Sequence, residues 1–292
     1  MRNLLILTVF LVLGINTSYA LTVGPAKIEF VTNPGETINF NLFVRNDSEW
    51  DSEYFLSIEG FSEINGEIKF FENPLEKDWF KIQDKVFIKS KEDVQIPVEI
   101  NIPSYAQPGG HFLAIWVSGG STSKEKGQVG IIGRVASLIF INVKGNAIYR
   151  ANISKFEAKR IVWKFPIKFV YLIKNEGNTY IKPKGYINIK NILGKNVAVL
   201  PINSKEFHIL PGTEKKLETE WQGEFAFGIY KAVFDMIYGE NNNLNFDYWF
   251  VFLNLNYLII ILILVIFVIF ILPLLVKKYN AYIIKKYTQK NE

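Results

Sequence analysis

The sequence predicts an all-β protein: two tandem Ig-like β-sandwich domains followed by one C-terminal transmembrane α-helix. Two patterns carry the sandwiches and one run carries the helix. Apolar and polar residues alternate with period two over short stretches, and Pro, Gly and Asn turn-formers interrupt those stretches at close intervals. Tyr257–Val276 then supplies twenty consecutive residues without a charge, closed at once by Lys277 and Lys278.

In the first domain (21–146), Val94, Ile96, Val98, Ile100 and Ile102 alternate with Gln95, Pro97, Glu99 and Asn101, the pattern of a strand with one buried face. Proline cannot donate to a β ladder, so Pro97 places this strand at a sheet edge or beside a bulge. Val94, Ile96, Pro97 and Val98 are therefore candidates for an edge that accepts a further strand. Ile38–Val44, His111–Val117 and Val135–Val143 read as additional strands, divided by turns at Asn33-Pro34-Gly35, Asn65-Gly66 and Pro108-Gly109-Gly110.

A break at Val143-Lys144-Gly145-Asn146 opens the second domain (147–252). Its strands are expected at Ile167–Lys174, Tyr186–Lys190, Val197–Leu200, Lys216–Trp221, Ile229–Tyr238 and Phe246–Phe252, again with Gly- and Asn-containing turns between them. Only Leu253–Asn256 separate the last strand from the helix. Four extended residues cover at most about 14 Å, so this domain is expected close to the bilayer. Tyr248, Trp249 and Tyr257 suit the aromatic belt of a membrane interface.

The uncharged run sets the topology. At about 1.5 Å per residue it reaches about 30 Å, the thickness of a hydrocarbon core. At the other end, Arg2, the apolar stretch Leu4–Gly14 and the small-x-small Ser18-Tyr19-Ala20 have the form of an export signal over 1–20, with Leu21 as the mature start. Lys277, Lys278, Lys285, Lys286 and Lys290 crowd the C-terminal flank, which the positive-inside rule assigns to the cytoplasm. The expectation is a single-pass type I cell-membrane protein: 21–252 outside, a span within 253–276 that meets lipid through Tyr257–Val276, and a basic tail at 277–292. Tyr279, Tyr282, Ile283 and Tyr287 repeat at helical spacing and suit the inner leaflet. Pro273 is expected to kink the span locally.

Net charge is +5 with a pI near 9.0, yet this is not a nucleic-acid signature. Residues 21–147 hold 12 Lys+Arg against 17 Asp+Glu, while 148–247 hold 15 against 10, so the exported part is neutral and its basic half lies nearest the membrane. There is no cysteine, which removes thiol catalysis, cysteine ligands and disulfides together. Each domain must then be held by its own core, which asks for modules of roughly 100 residues.

Candidate chemistry is sparse. His111 and His208 are the only histidines and neither lies in an HExxH or GxSxG context. Ser121-Thr122-Ser123-Lys124 fits S-x-x-K, but the S-D-N and K-T-G partners of that acyl-serine chemistry are absent and the surrounding GGSTSKEKG has the composition of a hairpin loop. No catalytic residue, metal site or cofactor is expected, although Asp47, Glu49 and Asp51 place oxygen ligands close together without EF-hand spacing. Trp50 and Tyr54, with Phe55 in the same acidic stretch, are candidates for stacking on sugar rings, and Trp79 with Phe80 beside Lys77 and Lys81 is a second such group.

The order of motifs carries a resemblance. Pro34-Gly35-Glu36-Thr37, a strand ending at Asn46, Ile102-Pro103, and Pro108-Gly109-Gly110 leading into an apolar strand resemble the peptidoglycan-binding domain of bacterial WxL-interacting proteins. Ile187–Gly194, Leu210-Pro211-Gly212, Trp221 and Gly228-Ile229-Tyr230-Lys231-Ala232, followed by one span and a basic tail, are similar to the host-binding second domain and anchor of that family. The resemblance implies a surface protein whose outer domain contacts cell-wall glycan and whose inner domain contacts other proteins; it transfers no ligand residue onto a position of this chain. The expected function is thus a non-catalytic adhesion or scaffold protein with peptidoglycan and surface proteins as partners. The alternative is an extracytoplasmic, chaperone-like assembly factor that accepts a client strand at an Ig-like sheet edge. A hydrolase with an unrecognised carboxylate pair is the third class, and nothing in the sequence selects the pair.

Overall fold

The structure is a computed structural model, described here over residues 21–64, 66–119, 133–223, 226–239 and 242–288. The expected export signal, Ser121–Lys124 and the last four residues of the tail lie outside the described residues. The chain falls into two compact units: one takes the chain up to Arg150 with Asn175–Tyr180 and Leu210–Thr213, the other Ala151–Lys174, Ile181–Ile209 and the chain from Glu214 onward.

The first unit is a two-sheet sandwich. Its strands are β1 (Leu21–Gly24), β2 (Lys27–Thr32), β3 (Thr37–Asn46), β4 (Ser52–Ile64), β5 (Glu67–Glu72), β6 (Phe80–Lys81), β7 (Lys85–Ile88), β8 (Asp93–Asn101), β9 (Gly109–Gly119) and β10 (Gly133–Val143). One sheet runs β1-β3-β8-β6; the other runs β2-β10-β9-β4-β5, with β7 also on β4. Among the described residues of this unit only the β2–β10 pair is parallel. Leu42, Val44, Ile96, Val98 and Ile100 from the first sheet meet Leu113, Ile115, Val117, Ile139 and Ile141 from the second in one core. Each such aliphatic side chain contributes about 1.5–3 kcal/mol on burial, and the period-two pattern read at Val94–Ile102 is the inward face of β8.

A buried amide pins one end of this sandwich. Asn46, at the end of β3, is fully buried; its Nδ2 donates to the carbonyls of Trp50 (2.7 Å) and Ile88 (3.0 Å). Its Oδ1 accepts from Ser48 N (3.0 Å), Ser48 Oγ (2.6 Å) and the Tyr54 hydroxyl (2.8 Å). Every polar atom of the amide is used, which is the condition for burying one without penalty.

The second unit is also a sandwich. β11 (Ala151–Glu157), β13 (Ile167–Asn175) and β16 (Glu214–Trp221) form one sheet; β12 (Ile161–Val162), β18 (Asn242–Phe252), β17 (Gly228–Tyr238), β14 (Lys184–Asn191) and β15 (Asn196–Ile202) form the other in that order. Phe169 and Tyr171 face Phe234 across the sandwich, with ring centroids 5.9 and 5.7 Å away, and Phe234 stacks on Phe246 at 4.1 Å.

The helix starts earlier than the uncharged run. α1 (Leu255–Ile266) is capped by Asn254, whose side chain accepts from Asn256 N at 3.0 Å, so two residues and not four link it to β18. A π turn over Phe267–Ile271 joins it to α2 (Leu272–Thr288). Pro273 is the second residue of α2, just past that turn, where the wider spacing accommodates a residue with no N–H. Leu255–Ala281 is apolar and long enough to cross a membrane.

Replacing Asn46 by Ala is expected to cost about 2–4 kcal/mol in chemical denaturation, since it removes the buried amide's hydrogen bonds to the Trp50 and Ile88 carbonyls and the Tyr54 hydroxyl. Asn39→Ala, on the exposed face of the same strand, is expected to stay within about 0.5 kcal/mol.

Candidate functional site

The candidate site is built on the sheet β2-β10-β9-β4-β5, which is apolar on both faces. Its inner face makes the core. On its outer face the register aligns Ala136 of β10 with Trp116 of β9, Leu138 with Ala114, and Phe140 with Phe112. β4 and β5 extend the row with Phe61 opposite Phe70. Phe61 contacts Phe140 (5.3 Å between ring centroids) and Phe112 (5.9 Å), and Phe70 meets Trp116 edge-on at 4.8 Å. Gly60 sits beneath the Phe71 ring, where a Cβ would come within 2.2 Å, so glycine here makes room for an aromatic.

Coverage of this face is uneven. Phe61, Ala114, Phe140 and Leu210 are buried together, with Tyr180 packed on them. Trp116, Ala136 and Leu138 at the other end remain half-buried. The Arg134 guanidinium lies 4.0 Å from the centre of the Trp116 ring and pairs with the Glu59 carboxylate, which closes the apolar face with a charged rim. The indole Nε1–H of Trp116 is buried without an acceptor among the described residues, an unsatisfied donor of the kind that native structures rarely keep.

Beside that half-covered end lies an open backbone edge. Leu138–Val143 of β10 pair with Lys27–Thr32 of β2. Just before β2, the Leu138 N–H donates to Ala26 O at 2.9 Å and Ser137 Oγ to Pro25 O at 2.6 Å. There the chain leaves this sheet, because β1 pairs with β3 in the other one. Among the described residues no strand pairs with Gly133–Ser137 on that side, and the half-buried Ala136 and Leu138 lie at this edge.

The other edges differ. β8 meets β6 only at Phe80–Ile100 and Lys81–Glu99, so most of its far side, including Val94, Ile96, Pro97 and Val98, has no partner strand among the described residues. That edge carries exposed Pro97 and the Lys81–Glu99 ion pair (2.8 Å), both of which discourage strand addition. β5, the last strand of its sheet, is exposed throughout and interleaves Glu67, Lys69 and Glu72 with Ile68, Phe70 and Phe71.

The aromatic candidates for sugar stacking do not form one surface. Trp50 is 66% exposed, but Tyr54 is 1% exposed and belongs to the core through its bond to Asn46. The correction follows from strand alternation: Tyr54 and Phe55 are neighbours in β4 and point to opposite faces. Trp79 is 9% exposed and lies against His111, 4.8 Å between rings, on the short 3-10 turn Leu75–Trp79. Asp47 pairs with Arg45 (2.9 Å), Glu49 with Lys91 (2.7 Å), and Asp51 accepts from Ser90 N (2.9 Å), so these acids serve their own loops. Among the described residues no three His, Asp or Glu side chains come together as a metal site would require. The sequence places Trp116, Ala136 and Leu138 in strands but does not mark them or Arg134 as a surface; the available signal is that β9 and β10 are apolar at odd and even positions alike.

His111 joins the 3-10 turn to β9. Its Nδ1 lies 2.8 Å from Glu76 Oε1 and its Nε2 2.9 Å from Gln107 O. Burial pushes the imidazole pKa down, but bonding to Glu76 and Gln107 outweighs it and leaves the value above that of an ordinary histidine. Glu76 is held below the usual carboxylate range by the hydrogen bond from His111, against the opposing effect of burial.

No family model matches the chain, and no curated protein matches it in sequence. It is similar to solved chaperone structures. The class 5 fimbriae chaperone CfaA is 13% identical with a TM-score of 0.42, over 79% of this chain and 99% of that one. The E. coli chaperone DraB is 12% identical with a TM-score of 0.38, over 79% and 98%. A chain from the Salmonella enterica SafA pilin in complex with the SafB chaperone is 11% identical with a TM-score of 0.38, over 81% and 98%. At these values function has to be read from this chain's own surface.

A raised histidine pKa stabilises the fold fully below the unfolded value of about 6.5 and loses that effect as pH rises through the folded value; a lowered glutamate pKa stabilises it above about 4.5 and loses that as pH falls. The His111–Glu76 pair is therefore expected to contribute most between about pH 4.5 and 6.5. Urea midpoints measured from pH 5 to pH 8 should fall in the wild type and fall less in His111→Gln.

Proposed function

We propose that this chain is a membrane-tethered, non-catalytic assembly factor that holds an extended segment of an exported client protein at the open half of β10. The client strand adds to Gly133–Ser137, and its alternate side chains rest on the half-buried face of Trp116, Ala136 and Leu138. The observation that carries this reading is the coincidence, at one place, of a strand edge with no partner strand among the described residues and incompletely covered apolar side chains. Main-chain hydrogen bonds of an added strand are sequence-tolerant, while the apolar face selects for large side chains at alternate positions.

Arg134 and Glu59 act as the rim. Their ion pair is partly exposed and contributes little to stability, but it discourages edge-to-edge pairing of two copies by placing charge beside the open strand. The solved structures reported above include a chaperone bound to a pilin; that describes those proteins, and the support here comes from β10. The tether is Leu255–Ala281, with the sandwiches on the side opposite Lys277 and Lys278. Contact with cell-wall glycan is a second reading. It rests on the sequence resemblance to WxL-interacting proteins and on the exposed Trp50 beside Glu49 and Asp51.

Photo-crosslinking residues placed at Ala136 and, separately, at Pro97 in native membranes distinguish these readings. The expected result is crosslinks from position 136 that map to one continuous, alternately apolar segment of an exported protein, with none from position 97. Leu138→Asp is expected to lower capture at least about tenfold, roughly 1.4 kcal/mol, with the fold intact by circular dichroism. A chain that gives no protein crosslink at 136 while its ectodomain sediments with peptidoglycan through Trp50 overturns the assembly-factor reading in favour of glycan binding.

A further inference from the structure

The second unit has one end that differs from the rest of its surface. β12 and β17 flank β18 there, and the last register row is Val162–Phe252–Gly228. The chain continues from Phe252 through Leu253, whose N–H donates to Val162 O at 2.8 Å, into Asn254 and the helix. Trp163 follows Val162 and Phe227 precedes Gly228, so these two residues sit one step beyond the last row on either side of the strand that becomes the helix. Trp163 is 52% exposed and Phe227 37%. One row inward, Ile161, Val251 and Ile229 are aligned on the outward face, with both isoleucines exposed.

Depth is set by the helix. Tyr257 begins the uncharged run, and its ring lies 6.2 Å from that of Phe227. If Tyr257 marks the outer limit of the hydrocarbon, Phe227 lies at the same level, where aromatic rings with polar surroundings are most stable. Lys164, exposed beside Trp163, is then at headgroup height. The interior of this end is already filled: Phe165 contacts Trp221 (5.2 Å) and Phe252 (4.7 Å), so Trp163 is left out of the core by its neighbour's packing. Tyr248, a belt candidate from sequence, is instead turned inward, its ring on Phe156 and its hydroxyl donating to Ala158 O at 2.8 Å.

We propose that this end of the second sandwich is seated in the bilayer interface, with Trp163 and Phe227 inserted among the lipid headgroups on both sides of the helix. The proposal rests on the reading of Leu255–Ala281 as a span. The seated end has a mechanical consequence: with only Leu253 and Asn254 between sheet and helix, and rings anchored on both sides, the sandwich cannot swing freely about its tether.

The chain has no cysteine, so single cysteines label one position each. Full-length Trp163→Cys, Phe227→Cys, Val199→Cys and Ile266→Cys are labelled with an environment-sensitive fluorophore in phosphatidylcholine nanodiscs containing lipids brominated either near the headgroup or near the chain end. The expected result is quenching of 163 and 227 by shallow bromine, of 266 by deep bromine, and of 199 by neither. A label-free check compares intrinsic tryptophan quenching of the wild type with that of Trp163→Phe, which is expected to lose part of it. Quenching at 266 without quenching at 163 and 227, or an unchanged Trp163→Phe chain, overturns the seating and leaves the span standing. Absence of quenching at 266 overturns both.

Discussion

The constraint on which the first unit depends is that one sheet is apolar on both of its faces. Side chains alternate across a strand, so β9 and β10, with Phe112, Leu113, Ala114, Ile115 and Trp116 in one and Leu138, Ile139, Phe140 and Ile141 in the other, must be covered twice. The β1-β3-β8-β6 sheet covers one face, where Leu113, Ile115, Val117, Ile139 and Ile141 are buried. Tyr180 and Leu210 cover part of the other, and the part around Trp116 and Leu138 is left. Burying that remainder is favourable for any extended apolar chain that reaches it, and Gly133–Ser137 beside it has no partner strand on that side among the described residues.

The edges of the molecule make sense together in this light. A free edge invites aggregation unless something opposes it. β8 is protected by Pro97 and by the Lys81–Glu99 pair, and β5 by Glu67, Lys69 and Glu72. The open half of β10 has no proline and only Arg134 at its rim. Its opening is created by the path of the N-terminal segment: residues 21–32 serve both sheets, and the switch at Gly24–Ala26 decides how much of β10 receives a partner.

The second unit places its own aromatics by a similar contest. Phe165, Trp221, Tyr230, Phe250 and Phe252 fill the end of the sandwich next to the helix, and the inward strand positions are thereby used up. Trp163 and Phe227 remain outside, flanking the exit of the chain. Exposure of large rings is costly in water and favourable at a lipid headgroup layer, so their position and the apolar helix describe one surface.

Much of this was legible in the chain. Alternation at Val94–Ile102 and at Ile167–Lys174, turn-formers between strands, and an uncharged run long enough for a bilayer depend on local order alone, and local order is what a sequence displays. β4 does carry the period, with Tyr54, Leu56 and Ile58 inward and Glu53, Ser57 and Glu59 outward, but Phe55 and Phe61 on the outward face and the turn-former Gly60 obscure it. Tyr54 and Tyr248 were assigned to surfaces for the same kind of reason: which of two adjacent aromatics turns inward depends on the register of strands far away in the sequence. The composition and order of residues by themselves determined an all-β body, the absence of thiol chemistry and an apolar helix at its end. Only the tertiary structure decided where the sheets stop pairing and which rings stay uncovered, since both are set by contacts between segments such as Pro25 and Ser137 that lie more than a hundred residues apart.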